Sequence, residues 1–471
     1  MAEDGYDAAV IGAGVVGAAI ARELSRYELR CVLIEAADDV GTGTSKANTA
    51  IRHTGFDARP GTLEASLLAR GFPLLSDFAA EAGIPLETTG ALLVAWDEAQ
   101  LAGLDDVAAR ARANGYTAIR PLTAAQVYAA EPNLGPGVRG GLLIPDEGIL
   151  CPFTTPLALA ADALAGGVRL LLGSPVTGIR SDGDRHLVTT PAQTISTRWV
   201  INAAGLRSDT IDSLLGHHSF TITPRRGELV VFDKLARRLI SRVILPVPTS
   251  RTKGVLVAPT VFGNVLVGPT AEDVGDTTAT QTTAAGLASL LEKGQRIVPG
   301  LAGEEVTACY AGLRAATGQP DYQISCHPEQ RYVAVGGIRS TGLSACLGIA
   351  AHVLDLLADA GLKLRPGPPR PAVRMPPIGE AHGRPYRDEA AIAANPSCGE
   401  IVCFCERVTR AEIVAAASAP IPARTLDGLR RRTRAMLGRC QGFYCSARVT
   451  ALLAEATGQS TARLLGLDEE G

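Results

Sequence analysis

Hydrophobic and polar positions follow two different periods along the first 40 residues of the chain. The run YDAAVI (6–11) is short and apolar, as expected for a buried strand. From Val15 the apolar positions take a helical period rich in alanine, and a second apolar run, CVLI (31–34), predicts another strand. Strand, turn, helix and strand in this order predict a βαβ unit of a parallel sheet.

The turn of this unit carries the glycine spacing Gly12-x-Gly14-x-x-Gly17, and the second strand leads into Glu35. Small residues let a backbone come close to a pyrophosphate at a helix N-terminus, where free N–H groups favour negative charge. An acid at the position of Glu35 can accept hydrogen bonds from ribose hydroxyls. The unit therefore predicts a dinucleotide site, whose contact residues in this turn are Gly12, Gly14, Val15, Val16, Gly17 and Glu35.

Three later segments distinguish FAD from NAD. The polar stretch 41–66, GTGTSKANTAIRHTGFDARPGTLEAS, resembles the loop along the pyrophosphate and flavin in glutathione-reductase-like FAD proteins of the D-amino-acid-oxidase type. Residues 188–211, which end their strand on Asn-Ala-Ala-Gly, and the segment that contains Gly336-Gly337 resemble two further FAD signatures. The resemblance implies FAD rather than NAD alone, with further contacts from Thr44, Ser45, Val176, Ala204, Gly205, Gly337, Thr341, Gly342 and Leu343.

The same superfamily implies roles for several polar residues. Arg314, in a Gly-Leu-Arg context, matches an arginine that clamps the anionic group of the substrate over the flavin, although Ala315 replaces the usual proline. A guanidinium suits this task because its planar fork pairs two oxygens at once. His53 lies where the pyrophosphate loop turns toward the flavin face and is the candidate catalytic base. Arg226 and Arg339 are further candidate substrate contacts.

Ten cysteines need an explanation in a chain expected in a reducing compartment. Those with apolar or small neighbours predict buried structural thiols: Cys31, Cys151, Cys309, Cys326 and Cys346. The others crowd into the last quarter, where Cys403-x-Cys405 and Cys440-x4-Cys445 form two close pairs. Such pairs can ligate zinc or an iron–sulfur cluster, and spacing alone does not choose between them.

The region around these pairs resembles the [2Fe–2S] domain of bacterioferritin-associated ferredoxins. It resembles more closely the C-terminal extension of anaerobic glycerol-3-phosphate dehydrogenases. The likeness runs through VCFCERVT (402–409) and TLDGLRRRTRAMLGRCQGFYC (425–445). It implies a [2Fe–2S] cluster held by Cys403, Cys405, Cys440 and Cys445, while Cys398 is not a ligand. The arginines of 430–434 would then offset the thiolate charge rather than bind nucleic acid.

The resemblance covers essentially the whole chain and extends, in the FAD half, to L-2-hydroxyglutarate oxidases. It implies a dehydrogenase that oxidises glycerol 3-phosphate or a 2-hydroxy acid by hydride transfer to flavin N5 and relays electrons through the cluster. Asp57 stands where relatives carry an arginine, and Ile338 and Arg339 where they carry lysine. A carboxylate would repel a phosphate dianion, so two alternatives stay open: an amino-acid or imino-acid dehydrogenase subunit, and a non-catalytic electron-transfer subunit.

The expected fold class is α/β, with a discontinuous Rossmann FAD domain of the glutathione-reductase type, an α+β substrate domain and a small helical [2Fe–2S] domain. A proline-rich segment that begins soon after Leu364 predicts a linker. The expected boundaries are 1–84, 151–216 and 308–364 for the FAD domain, 85–150 and 217–307 for the substrate domain, 365–395 for the linker and 396–471 for the cluster domain.

Charge and composition bear on partners and location. The 471 residues carry a formal net charge of −3, which gives no basic footprint for nucleic acid. No run approaches the roughly 20 apolar residues of a membrane span, and the acidic start MAEDGYD is unlike a secretory signal. We expect no transmembrane segment and a cytoplasmic location, or a peripheral one at the inner membrane through a partner. Electron transfer from the flavin through the cluster would require an acceptor. We therefore expect a hetero-oligomer with an electron-accepting subunit, or a link to a quinone chain.

Overall fold

The computed structural model describes residues 5–248, 254–381 and 383–467. The helices are α1 Val15–Leu24, α2 Leu63–Ala82, α3 Glu98–Ala113, α4 Ala124–Ala130, α5 Thr154–Ala165, α6 Ser208–Leu214, α7 Ala284–Ile297, α8 Gly342–Asp359, α9 Glu389–Ala394, α10 Arg410–Ala417, α11 Leu426–Thr433, α12 Ser446–Thr457 and α13 Thr461–Leu464.

The strands are β1 Tyr6–Ile11, β2 Cys31–Ile34, β3 Ile51–Arg52, β4 Leu86–Glu87, β5 Ala91–Ala95, β6 Arg120–Thr123, β7 Gly140–Ile144, β8 Gly148–Leu150, β9 Arg169–Leu171, β10 Gly178–Asp182, β11 Arg185–Thr189, β12 Thr194–Asn202, β13 Thr223–Phe232, β14 Val243–Pro246, β15 Leu256–Pro259, β16 Val265–Gly268, β17 Glu272–Asp273, β18 Val306–Ala316, β19 Gln323–His327, β20 Tyr332–Gly336, β21 Ile401–Cys403 and β22 Val408–Thr409.

The first sheet has the parallel order β9-β2-β1-β12-β20. In its register Val10 lies between Leu33 on β2 and Ile201 on β12. The strands β10 and β11 pair antiparallel beside the first half of β12, and β19 pairs antiparallel with β20. The predicted strand–turn–helix–strand unit is thus the centre of this sheet, and α1 packs between α5 and α8.

Helices α2 and α8 cross at very short range. A Cβ added to Gly348 would lie 2.1 Å from the carbonyl oxygen of Leu67, and one added to Gly71 would lie 3.0 Å from the backbone nitrogen of Gly348. Among the described helices, α8 alone is long and apolar enough to cross a membrane, but 61% of it is buried inside the protein. Packing against α1 and α2 therefore accounts for most of its apolar surface.

The second sheet has the order β17-β13-β16-β15-β14-β5-β7-β6, with β18 paired to β13. Successive residues of a strand face opposite sides. Leu229 of β13 joins a core that includes residues of α3, whereas Val230 and Phe232 join a core that includes Val127 of α4 and Leu290 of α7. Since β18 belongs to this sheet, the boundary predicted at residue 308 falls inside one of its strands.

The described chain divides into two compact units. The first contains residues up to 304 together with 309–373, and the second contains 305–308 and 374–467. Both sheets described above lie in the first unit, except for residues 306–308 at the start of β18. The second unit has the hairpin β21–β22 and helices α9 to α13, and its core includes Ile413, Leu429 and Leu453.

The segment that follows α8 is anchored to the first unit through a buried carboxylate. Asp162 on α5 accepts hydrogen bonds from Arg22 Nε at 2.9 Å, Arg370 Nη1 at 2.6 Å and the backbone N–H of Val373 at 3.1 Å. A buried carboxylate is favourable only when it is paired and hydrogen-bonded. The first part of the predicted linker is therefore a fixed part of this unit.

Burial of the five scattered cysteines follows the sequence prediction in part. Cys31, Cys151 and Cys346 are buried, and burial raises the pKa of Cys31 and Cys346 to about 12. Cys326 is half-buried and Cys309 is exposed. The prediction of a buried thiol was wrong for Cys309, which lies in the first half of β18, where every residue is exposed or only partly buried.

Candidate active site

The glycine-rich turn after β1 brings a helix N-terminus close to a second strand end. Gly12 has φ of +101°, and a Cβ there would lie 2.5 Å from the carbonyl oxygen of Ala203. A Cβ on Gly17 would lie 1.9 Å from the carbonyl oxygen of Gly12. Gly14 is the N-cap of α1 and makes no side-chain hydrogen bond to the helix. The free N–H groups and the dipole of α1 suit the pyrophosphate of a dinucleotide.

Glu35 directly follows β2 and lies against this turn. Its Oε2 accepts the backbone N–H of Ala13 at 2.6 Å, and its Oε1 accepts that of Ala37 at 3.0 Å. Burial raises the pKa of Glu35, an effect that these backbone donors oppose. The carboxylate is therefore fixed beside α1, where its remaining lone pairs can accept ribose hydroxyls.

The segment after β2 connects the turn to β18. Ser45 Oγ accepts the backbone N–H of Val15 at 2.9 Å, and Thr44 Oγ1 donates to the carbonyl oxygen of Leu313 at 2.6 Å. Val16, also a predicted contact, is half-buried on the first turn of α1. Thr44 and Ser45 thus lie between the dinucleotide turn and the strand that carries Arg314.

The end of β12 supplies the second predicted contact region. Val176 and Ala204 pack against the same hydrophobic core cluster. Gly205 has φ of +56° and begins a short 3-10 turn, Gly205–Arg207. The structure therefore brings Ala204 close to the dinucleotide turn, since its neighbour Ala203 limits the space at Gly12.

A second helix N-terminus is available at α8. Thr341 is its N-cap, and no side chain in the described part of the chain caps the helix. Instead Thr341 Oγ1 donates to Glu64 Oε1 at 2.7 Å and lies 2.5 Å from the hydroxyl of Tyr322. The predicted contacts at this helix are Gly337 in the preceding turn, Thr341, Gly342 and Leu343. Such an N-terminus can stabilise negative charge on a reduced flavin ring.

His53 lies beside this second N-terminus. Its backbone N–H donates to Ser344 Oγ on the first turn of α8 at 2.9 Å. Its Nδ1 lies 3.1 Å from Oε2 of Glu147, whose carboxylate is fully buried, while the His53 side chain keeps 21% of its exposure. The imidazole therefore has one nitrogen beside a buried carboxylate and is itself partly exposed.

Glu147 is a candidate site residue that the sequence analysis missed. Its second oxygen, Oε1, accepts both the backbone N–H of Thr54 at 2.7 Å and the Thr54 hydroxyl at 2.9 Å. These bonds leave Oε2 for the imidazole and fix the carboxylate. The only signal in the sequence was an acid in the stretch PDEG, which lies between β7 and β8 and 94 positions from His53.

Arg314 lies on β18, facing Gly227 of the neighbouring strand β13. A Cβ on Gly227 would lie 3.1 Å from Arg314 Nη2, so glycine provides space for the guanidinium. Burial, and then the charge of Arg225, lower the pKa of Arg314. Its Nη1 lies 3.5 Å from the carbonyl oxygen of Thr270, and within the described residues no carboxylate pairs with it.

Arg226 lies on the other face of β13. Its guanidinium binds Glu272 at 2.5 Å and the carbonyl oxygen of Gln281 at 3.2 Å, beside Glu228 and α7. A cavity of about 870 Å³ opens on this face, away from Arg314. The placement of Arg226 with the substrate arginine is therefore corrected: strand alternation puts Arg225, one residue earlier, on the Arg314 face.

Two other candidate specificity residues are already engaged. Arg339 donates to the carbonyl oxygen of Pro320 and lies 3.8 Å from Glu64 Oε2. Asp57 is half-buried, and its backbone carbonyl lies 3.5 Å from Arg110 on α3.

Several contacts connect the two main candidate residues, His53 and Arg314. The loop that leads into β3 and His53 is pinned to β18 at Tyr310, whose hydroxyl donates to the carbonyl oxygen of Asn48 at 2.8 Å. A Cβ on Gly312 would lie 2.0 Å from the carbonyl oxygen of Ala47. Positions along this loop and this strand are therefore fixed relative to each other.

The four cysteines of the second unit form two pairs. The thiol of Cys405 lies beside that of Cys440, and the thiol of Cys403 lies beside that of Cys445. Burial, together with the neighbouring thiol of Cys403, raises the pKa of Cys445 to about 12. Among the described residues, no three Cys, His, Asp or Glu side chains converge to hold a single ion. Two pairs are the arrangement in which each iron of a binuclear cluster takes two thiolates.

The backbone around the thiols also fits a cluster. The N–H groups of Gly442, Phe443 and Tyr444 hydrogen-bond to the Cys440 sulfur and favour its thiolate. A Cβ on Gly438 would lie 2.4 Å from Cβ of Cys405, so only glycine allows the two cysteine segments to approach. The donor set of four thiols with N–H groups aimed at sulfur fits iron–sulfur ligation.

Comparisons with known proteins agree with these two sites. Residues 7–356 match the model of the family DAO, FAD dependent oxidoreductase, and residues 401–455 match the BFD-like [2Fe-2S] binding domain. The predicted FAD fold and the predicted C-terminal [2Fe–2S]-binding domain are therefore confirmed, against zinc and NAD.

Curated relatives and a solved structure extend this result. The chain is 37% identical to a glycerol 3-phosphate dehydrogenase of Caloramator mitchellensis, over 96% of this chain and 95% of that protein. It is 26% identical to one component of the anaerobic glycerol-3-phosphate dehydrogenase of Escherichia coli, over 95% and 88%. An FAD-bound L-α-glycerophosphate oxidase from Mycoplasma pneumoniae superposes with a TM-score of 0.73 at 29% identity, covering 79% of this chain and 98% of that one. The resemblance to glycerol 3-phosphate dehydrogenases is confirmed, and the chain is an FAD-dependent oxidoreductase.

Proposed function

We propose, from the premise that this chain belongs to the DAO family of FAD-dependent oxidoreductases, that it oxidises a small anionic alcohol, with glycerol 3-phosphate as the first candidate. Electrons would leave through the C-terminal [2Fe–2S] domain to a partner protein or a quinone-linked chain. Bound FAD supplies a hydride acceptor, the flavin N5 atom. The substrates in the names of the relatives support the choice of an alcohol phosphate.

The observation that carries this proposal is the environment of Arg314. A buried guanidinium whose pKa is lowered by burial and by Arg225 is costly unless an anion compensates it. Arg225 has its own partner, because Nε and Nη2 bind Asp273 at 2.5 and 3.0 Å. In the described residues Arg314 pairs with no such carboxylate, which suits it to bind a phosphate or carboxylate of the substrate bidentately.

His53 and Glu147 are proposed to move the alcohol proton. The carboxylate of Glu147, 3.1 Å from Nδ1 of His53, would favour the tautomer that carries its proton on Nδ1, and the Nε2 lone pair could then accept a proton. The negative charge of Glu147 stabilises the imidazolium that results, as a triad carboxylate does. His53 would act as the base and Glu147 as its positioning residue.

Cys403, Cys405, Cys440 and Cys445 are proposed to hold the cluster in the second unit. Their side chains would ligate two irons in pairs, and the N–H groups at Cys440 would stabilise its thiolate. A cluster of this kind passes single electrons, which explains its value to an enzyme that collects two.

The predicted cytoplasmic or membrane-peripheral location stays a prediction.

Anaerobic titration of the purified holoprotein tests the substrate class. We expect glycerol 3-phosphate to bleach the flavin absorbance, and 2-hydroxy acids to do so more weakly. Reduction by proline or glycine with release of ammonia or an imine would favour the amine-dehydrogenase alternative. Failure of every alcohol and hydroxy acid to bleach a flavin that dithionite reduces normally would exclude the proposal.

A variant tests the anion site directly. Arg314→Ala should raise the KM for the anionic substrate about 10- to 100-fold while FAD content stays the same, since a hydrogen bond to a charged group is lost. Arg226→Gln is the matched control on the opposite face of β13 and should leave KM nearly unchanged. Equal effects of the two variants would return Arg226 to the site.

A further inference from the structure

Arg52 is a buried cation one residue before the candidate base. It ends β3, which pairs antiparallel with β8 in a register that sets Arg52 opposite Gly148. This register places the next residue, His53, opposite Glu147. Arg52 is only 5% exposed, and a Cβ on Gly148 would lie 3.5 Å from its Nε, so the guanidinium lies against this end of β8. One short strand therefore brings a guanidinium, an imidazole and a buried carboxylate into the same region.

The hydrogen bonds of the Arg52 guanidinium go to neutral acceptors. Nη1 donates to Ser76 Oγ at 2.6 Å, and Nη2 donates to Thr88 Oγ1 at 3.1 Å and to the carbonyl oxygen of Asp146 at 3.0 Å. Its Nε makes no hydrogen bond within the described ranges. The guanidinium carbon lies 4.3 Å from the centre of the Phe72 ring. These contacts fix the position of the guanidinium, but none of these hydrogen bonds goes to a carboxylate.

Two carboxylates act on Arg52 through their charge. Burial lowers the pKa of Arg52, and the charges of Glu147 and then of Asp146 oppose this effect. Asp146 is exposed and accepts the hydroxyl of Tyr116 at 3.0 Å, so water screens its charge. Glu147 is fully buried, and a buried charge is screened much less. Glu147 is therefore the main counter-charge of Arg52.

The other groups packed against His53 and Glu147 are uncharged. Thr54, which follows His53, donates its N–H and its hydroxyl to Glu147. On α8, Ser344 Oγ accepts the backbone N–H of His53. Neither contact supplies a positive charge to the buried carboxylate, whereas Arg52 does.

We propose that Arg52 sets the protonation state of the His53–Glu147 pair, because its guanidinium supplies the positive charge that the buried carboxylate would otherwise take from His53. The inference rests on the proposed role of His53 as the base. A buried carboxylate stabilises a protonated imidazole, and a protonated imidazole cannot accept the alcohol proton. With Arg52 beside the carboxylate, His53 can stay neutral while Glu147 is ionised. Arg52 acts through Glu147 and is a positioning residue.

Loss of the Arg52 charge should change the pH dependence in one direction. A nearby cation disfavours the protonated forms of both His53 and Glu147, so without it each holds its proton up to higher pH. Either change depletes the reactive form, a neutral imidazole beside an ionised carboxylate, at neutral pH. High pH restores that form. The acid limb of kcat/KM should therefore move to higher pH, while the plateau at high pH is retained.

The kinetic test uses the full-length holoprotein and anaerobic flavin reduction by glycerol 3-phosphate across the pH range. Arg52→Gln should move the acid limb by about one pH unit. Arg52→Lys keeps the charge and should keep the limb close to that of the unaltered protein. Ser76→Ala is the matched control, because it removes a hydrogen bond to Arg52 but no charge, and it should leave the limb in place.

A second measurement needs no substrate. In holoprotein with isotope-labelled histidine, NMR follows the titration of the His53 imidazole, whose signal is the one among seven histidines that is missing from His53→Gln. Arg52→Gln should move this titration to higher pH, and Arg52→Lys should not. If Arg52→Gln does not fold, Arg52→Met removes the charge while keeping an unbranched apolar side chain against Phe72, and it should give the same displacement.

Two results would overturn the proposal. The first is an unchanged His53 titration in an uncharged variant that retains its FAD. The second is a loss of kcat/KM that is the same at every pH, or a limb that Ser76→Ala moves equally, since either would give Arg52 a purely structural role. A displaced His53 titration in a protein whose flavin no alcohol reduces would instead refute the proposed function and support the assignment of Arg52.

Discussion

The two units prepare their cofactor sites by opposite means. In the first unit the site is made largely of backbone: the N-termini of α1 and α8, whose N-cap residues make no side-chain cap, and glycines at which a side chain would clash. In the second unit it is made of side chains, four thiols supplied by two short segments. The backbone site depends on the absence of side chains at its glycines, whereas the thiol site depends on the presence of four cysteine side chains. The two should fail separately and in recognisable ways.

The largest effect is expected from removing a thiol. Cys403→Ser should abolish the visible absorbance of the cluster, because one iron loses half of its protein ligands. Flavin content and flavin reduction by substrate should persist. Cys398→Ser, in the same domain but outside the two pairs, is the control and should retain full iron content. Loss of FAD in the Cys403 variant would contradict separate sites.

The reciprocal change breaks the backbone site. Gly17→Val should empty the protein of FAD, since even its Cβ would lie 1.9 Å from the carbonyl oxygen of Gly12. Iron content of the second unit should remain near that of the unaltered protein. At Gly43 no atom lies within 4 Å of an added Cβ, so Gly43→Ala should keep its FAD. Normal flavin in the Gly17 variant would refute the close-approach argument.

A smaller effect is expected where a side chain acts within the backbone site. Glu147→Gln should lower kcat about 10- to 100-fold at nearly constant KM, because His53 loses the charge that orients it. Glu131→Gln changes another buried carboxylate, bound to Ser241, and controls for general loss of stability. A kcat unchanged by Glu147→Gln would remove this carboxylate from the mechanism.

The smallest effect is expected from removing a helix cap, and the same capping motif occurs once in each unit. Thr409 caps α10 and Thr123 caps α4, each through a reciprocal bond with the residue three positions on. Thr409→Ala should destabilise the cluster domain by about 1 kcal/mol, seen as loss of cluster absorbance at lower temperature. Thr123→Ala should leave that transition in place. A shift of both transitions by either variant would show that the units unfold together.

What the sequence could predict follows the same division. The glycine spacing and the two cysteine pairs are local patterns, so they identified the dinucleotide turn and the thiol cluster without knowledge of distant contacts. Glu147 could not be found in this way, because its link to His53 spans 94 positions and exists only when β8 lies beside β3.

Strand parity explains the remaining differences. The sequence pattern does not show which residues of β13 face β18, so the sequence analysis named Arg226 as a candidate contact and did not consider Arg225, which lies on the Arg314 face. Likewise, β18 looked like an FAD-domain strand because a glycine-rich segment follows it, but its hydrogen bonds run to β13. Local motifs could therefore be predicted from the sequence, whereas the placement of residues by long-range strand pairing could not.

The hydrogen bonds to Asp162 indicate where the chain can be truncated to separate the first unit from the second. A truncation after Val373 would preserve all three donors to that oxygen pair. A truncation at residue 364 would remove two of the three donors, Arg370 and Val373. The buried carboxylate of Asp162 would then keep only Arg22 as a partner. Anyone dissecting the polypeptide should therefore let the proline-rich strand stay with the flavin half as far as that valine.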